Sequence, residues 1–221
     1  TRVRGGEIHG LNVTIPHKQN VIPLLDELTP TAQAIGAVNT ISMRNGKLVG
    51  DNTDAPGFLA DLQNFLTTET RSHGERRKAL VLGAGGSARA VVYALVHAGW
   101  DVTLSARRPE QAQALASNYQ LPITNLTNPP TFNLLVNTTP LGMSPNVDTS
   151  PWPEHLPFPK DAAVYDLVYN PRETKLVRDA RAQGLPAKTG LGMLIEQAAL
   201  AFEIWTGHRP PREVLFQQVV E

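Results

Sequence analysis

The stretch that most constrains this chain is ALVLGAGGSARAVVYALVHAG, residues 79–99. An apolar run ends in three glycines within four positions, and an apolar helical pattern follows, closed by Gly99. A strand with no polar face, a tight turn and an immediate helix form the opening unit of a parallel sheet, because parallel neighbours can be joined only by a crossover. The rhythm then repeats. DVTLSA (101–106) and PEQAQALASNY (109–119) are the next strand and helix, with Pro109 in the first helical turn. FNLLVNTTP (132–140) and AAVYDLVYN (162–170) are two further strands, ETKLVRDARAQG (173–184) a helix and LPAKTG (185–190) a short last strand. Alternation of this kind predicts an α/β fold with a doubly wound parallel sheet. Leu191 to Thr206 reads as one long helix, with a further helical turn or two after Pro211.

The first third is organised differently. Residues 11–15 predict a strand, and 18–28 a short helix with Val21, Leu24, Leu25 and Leu28 on one face. AVNTISM (37–43) and KLVGDNT (47–53) flank Asn45-Gly46, a hairpin signal because both residues tolerate positive φ. A helix is expected over 54–66 on Phe58, Leu59, Leu62, Phe65 and Leu66. The polar, unpatterned TTETRSHGERRK (67–78) is the expected boundary or crossing segment. These signals divide the chain into a smaller α/β domain over 1–66, a nucleotide-binding domain over 75–190 and a C-terminal helical segment over 191–221. Twenty basic residues balance twenty acidic ones, which gives no electrostatic case for a nucleic-acid or acidic-membrane partner. No apolar run approaches a membrane span. Cysteine is absent, so thiolate metal sites and cysteine nucleophiles are excluded; no metal is expected, and a cytoplasmic location fits.

Gly83, Gly85 and Ala88 match the G-x-G-x-x-G/A pattern in its required strand–turn–helix setting. The first glycine permits the turn, the second lets a pyrophosphate approach the backbone, and the free N–H groups of the helix start hold the anion. The bland alternative is a glycine-rich turn without ligand. An NAD-binding unit would end its second strand in an acid for the ribose hydroxyl. Here that strand ends Ser105-Ala106-Arg107-Arg108, with no acid until Glu110. Two guanidinium groups suit a 2′-phosphate, so NADP is the expected cofactor; the alternative is a solvated arginine pair at a helix entry. Outside this half, Asp54 stands at an expected helix N-cap and Lys18 at an expected helix start, places that alone call for nothing beyond a cap and a surface cation. Together with Asn12, Thr14, Asn39 and Asn52 they form a polar set at strand ends, where open α/β sheets bind ligands.

NVTIPHK, AVNT, DNTD, GAGGSARA, NTTPLGM, YDLVYNP and GLGMLIEQAALAFEIW, spread from Asn12 to Trp205, resemble in order the motifs of the shikimate dehydrogenase family. The resemblance implies NADP-dependent interconversion of 3-dehydroshikimate and shikimate on the route to chorismate and the aromatic amino acids. It also implies a Rossmann domain beside a substrate domain that receives the last helix back, in a monomer or homodimer. It implies Lys18 and Asp54 as the catalytic pair, with Thr14, Asn39, Tyr169 and Gln197 as substrate contacts. Gly83, Ala84, Gly85, Gly86, Ser87, Arg107 and Arg108 are implied as the NADP grip, and Leu167, Gly190 and Met193 as the nicotinamide surround. Two departures stand out. The family's Asn-Arg-Thr phosphate motif reads Ala106-Arg107-Arg108, and the family's opening strand, Ser-x-Ser motif and helix do not precede NVTIPHK. The numbered chain is therefore expected to lack one edge of its substrate domain. Two other readings remain: a quinate/shikimate-type dehydrogenase acting on a related cyclic hydroxy acid, and a non-catalytic NADP-binding module.

Overall fold

Hairpin chemistry sets the first sheet. The computed structural model describes residues 2–69 and 77–220. Asn45 and Gly46 take φ of 51° and 76°, the pair of positive values a two-residue turn needs to match strand twist, and they join β3 (Thr40–Arg44) to β4 (Lys47–Asp51). β1 (Gly10–Asn12) lies antiparallel on β3, and β2 (Glu27–Leu28) lies parallel on β4, giving the order β1-β3-β4-β2. Val3, Val13, Ala32, Val38, Ile41 and Leu48 form the core under this sheet.

The helix expected over 18–28 is absent. That stretch forms one 3-10 turn, Ile22–Leu24, and then β2. Pro23 falls in the middle of the pattern, where its missing N–H and its ring exclude an α-helix; Val21, Leu25 and Leu28 still pack against the first core, and Leu24 is exposed. A helix that was not expected, α1 (Pro30–Ile35), follows; the Thr29 hydroxyl accepts from the Ala32 N–H at 3.2 Å and caps its start. The strand expected over 11–15 is shorter, at Gly10–Asn12.

The chain divides into two compact units, Thr1–Asp61 with Gly192–Glu221 and, between them in sequence, Leu62–Leu191. The division falls inside α2 (Asp54–Glu69); of the expected crossing segment, residues 70–76 lie outside the described residues.

The second unit holds a five-stranded parallel sheet: β5 (Lys78–Leu82), β6 (Asp101–Ser105), β7 (Leu134–Asn137), β8 (Ala163–Asp166) and β9 (Ala187–Thr189), in the order β6-β5-β7-β8-β9. Leu80, Val81, Leu135, Val136 and Val164 have no exposed surface, as expected of strands covered on both faces. α3 (Gly86–His97), α4 (Pro109–Ala116) and α5 (Lys175–Ala182) are the crossover helices. Beyond β6, Ile123 makes a single parallel bridge to Leu104, with the Leu104 N–H donating to the Pro122 carbonyl at 3.0 Å. Counting that remnant restores the common doubly wound order of dinucleotide-binding sheets, with one strand reduced to a bridge. The β7–β8 connection carries no helix. Its place is taken by Trp152, stacked on Phe158 at 5.3 Å and edge-on to Phe132 at 5.7 Å. The order reverses between β5 and β7, so the carboxyl ends of these strands, Gly83 and Thr138, mark the switch point where such sheets bind ligands.

α6 (Leu191–Thr206) has the bounds its pattern gives, and α7 (Arg212–Val220) is longer than the turn or two expected. In the first unit α6 passes so close to α2 that a methyl group on Gly57 would lie 2.8 Å from the Gln197 nitrogen. Trp205 Nε1 donates to the Ile41 carbonyl at 3.0 Å and ties α6 to β3. Because the obstacle at Gly57 is backbone, Gly57→Ala is expected to lower the free energy of unfolding by about 1–3 kcal/mol, measured by urea denaturation.

Candidate active site

The two units each present a group of candidate residues. In the first, β1 ends at Asn12 and the chain turns, with the His17 N–H donating to the Thr14 carbonyl at 2.9 Å, before it reaches Lys18. The Lys18 carbonyl accepts from the Val38 N–H at 2.7 Å, which fixes the backbone that carries the ammonium group. Lys18 Nζ donates to Asp54 Oδ2 at 2.6 Å, and the two side chains are only 11 % and 5 % exposed. A desolvated pair of this kind depends on the hydrogen bonds around it, because loss of one partner leaves a buried charge at a cost of about 3–5 kcal/mol.

Asn39, 2 % exposed, supplies most of that shell. Its Nδ2 group lies 2.9 Å from both Thr53 Oγ1 and Asp54 Oδ1 and 3.1 Å from Gln197 Oε1, three acceptors for two hydrogens, so one hydrogen is shared. Its Oδ1 accepts from the Thr53 N–H at 2.7 Å and the Thr40 hydroxyl at 3.0 Å. Gln197 in turn donates through Nε2 to its own helix at the Leu194 carbonyl, 2.9 Å away. Asn12 Nδ2 donates to the Asn39 carbonyl at 3.1 Å, while Thr14 is exposed. Lys18, Asp54, Asn39, Asn12 and Gln197 are thus joined in one array. Thr14 is not bonded into it through its side chain.

Two details differ from the sequence-based expectation. Asp54 is not the cap of α2. It is the first helical residue, and the side chain that accepts from the first turn is that of Asn52, whose Oδ1 accepts from the Ala55 N–H at 3.2 Å while its Nδ2 donates to the Ala37 carbonyl at 2.9 Å. The Asp54 carboxylate is therefore released from capping and committed to Lys18 and Asn39. Lys18 in turn begins no helix, so no macrodipole opposes it. Thr53 and Gly57 belong to the array although the sequence did not single them out. A glycine inside a helical pattern, as at Gly57, was the available sign of a close approach.

In the second unit, Gly83 takes φ +112°, a value that favours glycine, and a Cβ there would lie 2.4 Å from Thr138 Oγ1. Ala84 is buried. Gly85, the N-cap of α3, brings no capping side chain and has open space where a Cβ would be. Gly86 and Ser87 form the first turn, whose backbone N–H groups are the kind of donor that a helix start offers to an anion. Leu82 is paired with Ser105, which places Ala106, Arg107 and Arg108 at the same sheet edge as the glycine turn. Both arginines are exposed, and among the described residues neither makes an ion pair or a side-chain hydrogen bond. Leu167 and Tyr169 follow β8, with Tyr169 46 % exposed, and Gly190 lies against the Leu167 carbonyl. Met193, assigned with them from the sequence, belongs to the first unit and is buried on α6. Among the described residues no cluster of histidines and carboxylates could hold a metal ion.

The family model of the shikimate dehydrogenase substrate binding domain matches residues 1–41, and that of the shikimate 5′-dehydrogenase C-terminal domain matches 190–219. Shikimate dehydrogenase (NADP(+)) of Salinibacter ruber is 43 % identical over 228 residues, covering 97 % of this chain and 79 % of its own. The chain belongs to the shikimate dehydrogenase family. Among solved family structures, that of shikimate 5-dehydrogenase from Thermus thermophilus, in complex with NADP(H) and shikimate, superposes with a TM-score of 0.87 at 42 % identity, covering 98 % of this chain and 79 % of that one. Quinate dehydrogenase from Corynebacterium glutamicum, in complex with NAD, gives 0.85 at 33 % identity, covering 99 % and 79 %. Both family models fall largely within the first unit, the part that contains the Lys18–Asp54 pair.

Asn39→Ala strips Asp54 of its second hydrogen bond and leaves the buried Thr53 N–H without an acceptor. An unsatisfied buried group costs about 1–3 kcal/mol, so urea unfolding should show a loss of that size. Steady-state turnover should fall by roughly tenfold or more as the pair loses its fixed geometry.

Proposed function

We propose that this chain catalyses the NADP-dependent, reversible reduction of 3-dehydroshikimate to shikimate. The observation that carries the reading is the desolvated Lys18–Asp54 pair at 2.6 Å, held in a buried hydrogen-bond shell within a member of the shikimate dehydrogenase family. A binding module has no use for a buried ammonium–carboxylate pair whose environment is this costly to build.

The residues present suit the cofactor. The glycine turn and the start of α3, whose N-cap is a glycine, fit a pyrophosphate, and the exposed guanidinium groups of Arg107 and Arg108 fit a 2′-phosphate. The carboxyl end of β6 and the residues that follow it, through Arg108, offer no acid for a free ribose hydroxyl, which favours NADP over NAD. Where the family's phosphate motif has an asparagine, Ala106 offers no polar atom, and Arg108 brings a second charge beside Arg107 instead.

The bound cofactor supplies the hydride; everything else falls to side chains. Reduction of a carbonyl builds negative charge on its oxygen, and an ammonium answers with both charge and a proton. Lys18 Nζ is the donor to that oxygen, and Asp54 fixes the direction in which its N–H bonds point. Asn39 keeps Asp54 in place, and the Gln197 amide and Thr14 hydroxyl bind the substrate's hydroxyl groups. Tyr169 is a further substrate contact in this reading, on the family resemblance. In the reverse direction Lys18 accepts the hydroxyl proton as hydride leaves the ring carbon. A monomer or homodimer in the cytoplasm is the setting this reading carries.

The test is NADPH oxidation with 3-dehydroshikimate beside 3-dehydroquinate. The first should turn over and the second should be at least tenfold slower in kcat/KM; the reverse order would support a quinate-type enzyme. Lys18→Ala is expected to lower turnover by roughly three decades while the NADPH Kd stays within about threefold, because its work is confined to the reacting oxygen. Arg107→Ala should weaken NADPH binding by roughly tenfold or more and leave NADH binding unchanged, since only the 2′-phosphate is lost as a partner. Fluorescence titration with both cofactors reads this difference directly.

A further inference from the structure

Asp166, the last residue of β8, has no exposed surface, and the chemistry above gives it no task. Burying a carboxylate is costly unless its oxygens are fully engaged. Its oxygens are engaged, but not by cations. Oδ1 accepts from Asn137 Nδ2 at 2.8 Å and from the Val168 N–H at 3.0 Å, and Oδ2 accepts from the Thr174 hydroxyl at 2.6 Å. Among the described residues no lysine, arginine or histidine forms an ion pair with it.

Each donor opens a different segment at the carboxyl edge of the sheet. Asn137 ends β7, and its Oδ1 accepts from the Thr139 N–H at 2.9 Å and the Thr139 hydroxyl at 2.7 Å, which folds the 138–143 loop. The Thr138 hydroxyl of that loop donates to the Leu82 carbonyl at 2.6 Å, beside the glycine turn. Thr174 caps α5 through the Val177 N–H at 3.3 Å. Val168 lies between Leu167 and Tyr169, so the bond to its N–H ties the segment that follows β8 to the Asp166 side chain. The Leu167 N–H donates to the Asn137 carbonyl at 2.9 Å, and Gly190 lies against the Leu167 carbonyl.

We propose that Asp166 is a positioning residue for the reaction: its carboxylate fixes the Leu167–Tyr169 segment, and with it the Tyr169 contact and the nicotinamide surround, while touching neither ligand. The inference rests on the proposed function. It separates from the phosphate grip, because Gly83–Ser87, Arg107 and Arg108 are carried by β5, α3 and β6.

Burial pushes the Asp166 carboxyl up to about 6, against the three hydrogen bonds that pull it down. Its value in the fold lies above that of the unfolded chain. The stability contributed by the neutral form is therefore complete below the ordinary carboxylate range and is lost as pH rises through about 6. Charged side chains on the surrounding elements are occupied or exposed: Lys175 with Glu154 and Asp179, Arg181 with Glu173, Lys188 over the rings of Phe65 and Tyr165, and Arg172 and Arg178 at the surface.

Asp166→Asn in the full chain keeps the shape and the Oδ1 acceptor and removes the charge. Turnover of shikimate is expected to fall by at least tenfold while the NADPH Kd, read by fluorescence titration, stays within threefold of the wild type. Thr174→Ser, which keeps the hydroxyl, should match the wild type, and Thr174→Ala should follow Asp166→Asn. The wild-type melting temperature should fall between pH 5 and 7 more steeply than that of Asp166→Asn. Retained turnover in Asp166→Asn beside an active wild type overturns the role of Asp166 alone, as does a loss of turnover and NADPH affinity in equal proportion. A wild type without turnover overturns both this role and the reaction on which it rests.

Discussion

The buried Lys18–Asp54 pair is the constraint around which the first unit is arranged. Two charges taken out of water hold their place only if every remaining polar atom nearby is satisfied. That demand explains why β3 begins beside Asn39, an amide with all its hydrogen-bonding capacity used internally, why Asn52 takes over the capping of α2, and why Thr53 stands with its hydroxyl toward Asn39. It also explains a packing feature. Gln197 must come within reach of the Asn39 amide, and α6 achieves this only because Gly57 offers no side chain at the point of approach. An array of polar contacts and a backbone contact between helices are therefore two sides of one requirement.

The second unit meets a different requirement at its carboxyl edge. Here strands end together, and each end must turn without leaving its backbone groups unpaired. Gly83 turns by adopting positive φ, Asn137 by accepting from Thr139, and Asp166 by accepting from Val168. The last two are also bonded to each other. A ligand site at such an edge is built from chain reversals, and its precision is that of the side chains that hold them. A phosphate grip needs little of this support, since a helix start and two exposed guanidinium groups adapt to an anion; a hydride transfer does not tolerate such latitude.

How much of this could be read from the chain depends on the range of the interaction involved. Strand–turn–helix repetition over 79–190 is a local pattern, and the sheet it predicts is the one observed, because a strand buried on both faces has few alternatives. Asn45-Gly46 is equally local, and its hairpin follows. The helix expected over 18–28 fails on an equally local rule, since Pro23 sits inside an apolar spacing that otherwise looks helical. The strand remnant at Ile123 was invisible, because a single bridge leaves no periodicity.

The sequence by itself determined the class of the sheet, the glycine turn, the guanidinium pair that follows the second strand of that sheet, and the motifs that place the chain in its family. These depend on residues adjacent in the chain or on a repeating pattern. Only the tertiary structure decided that the first turn of α2 is capped by the Asn52 side chain and not by Asp54, that Asn39 holds Asp54 and Gln197 at once across 158 positions in the case of Gln197, and that Asp166 binds three segments with no cation among the described residues. The physical reason is the same in each case. The state of a polar side chain is set by which donors and acceptors come within about 3 Å of it, and those partners are brought there by the packing of elements far apart in sequence.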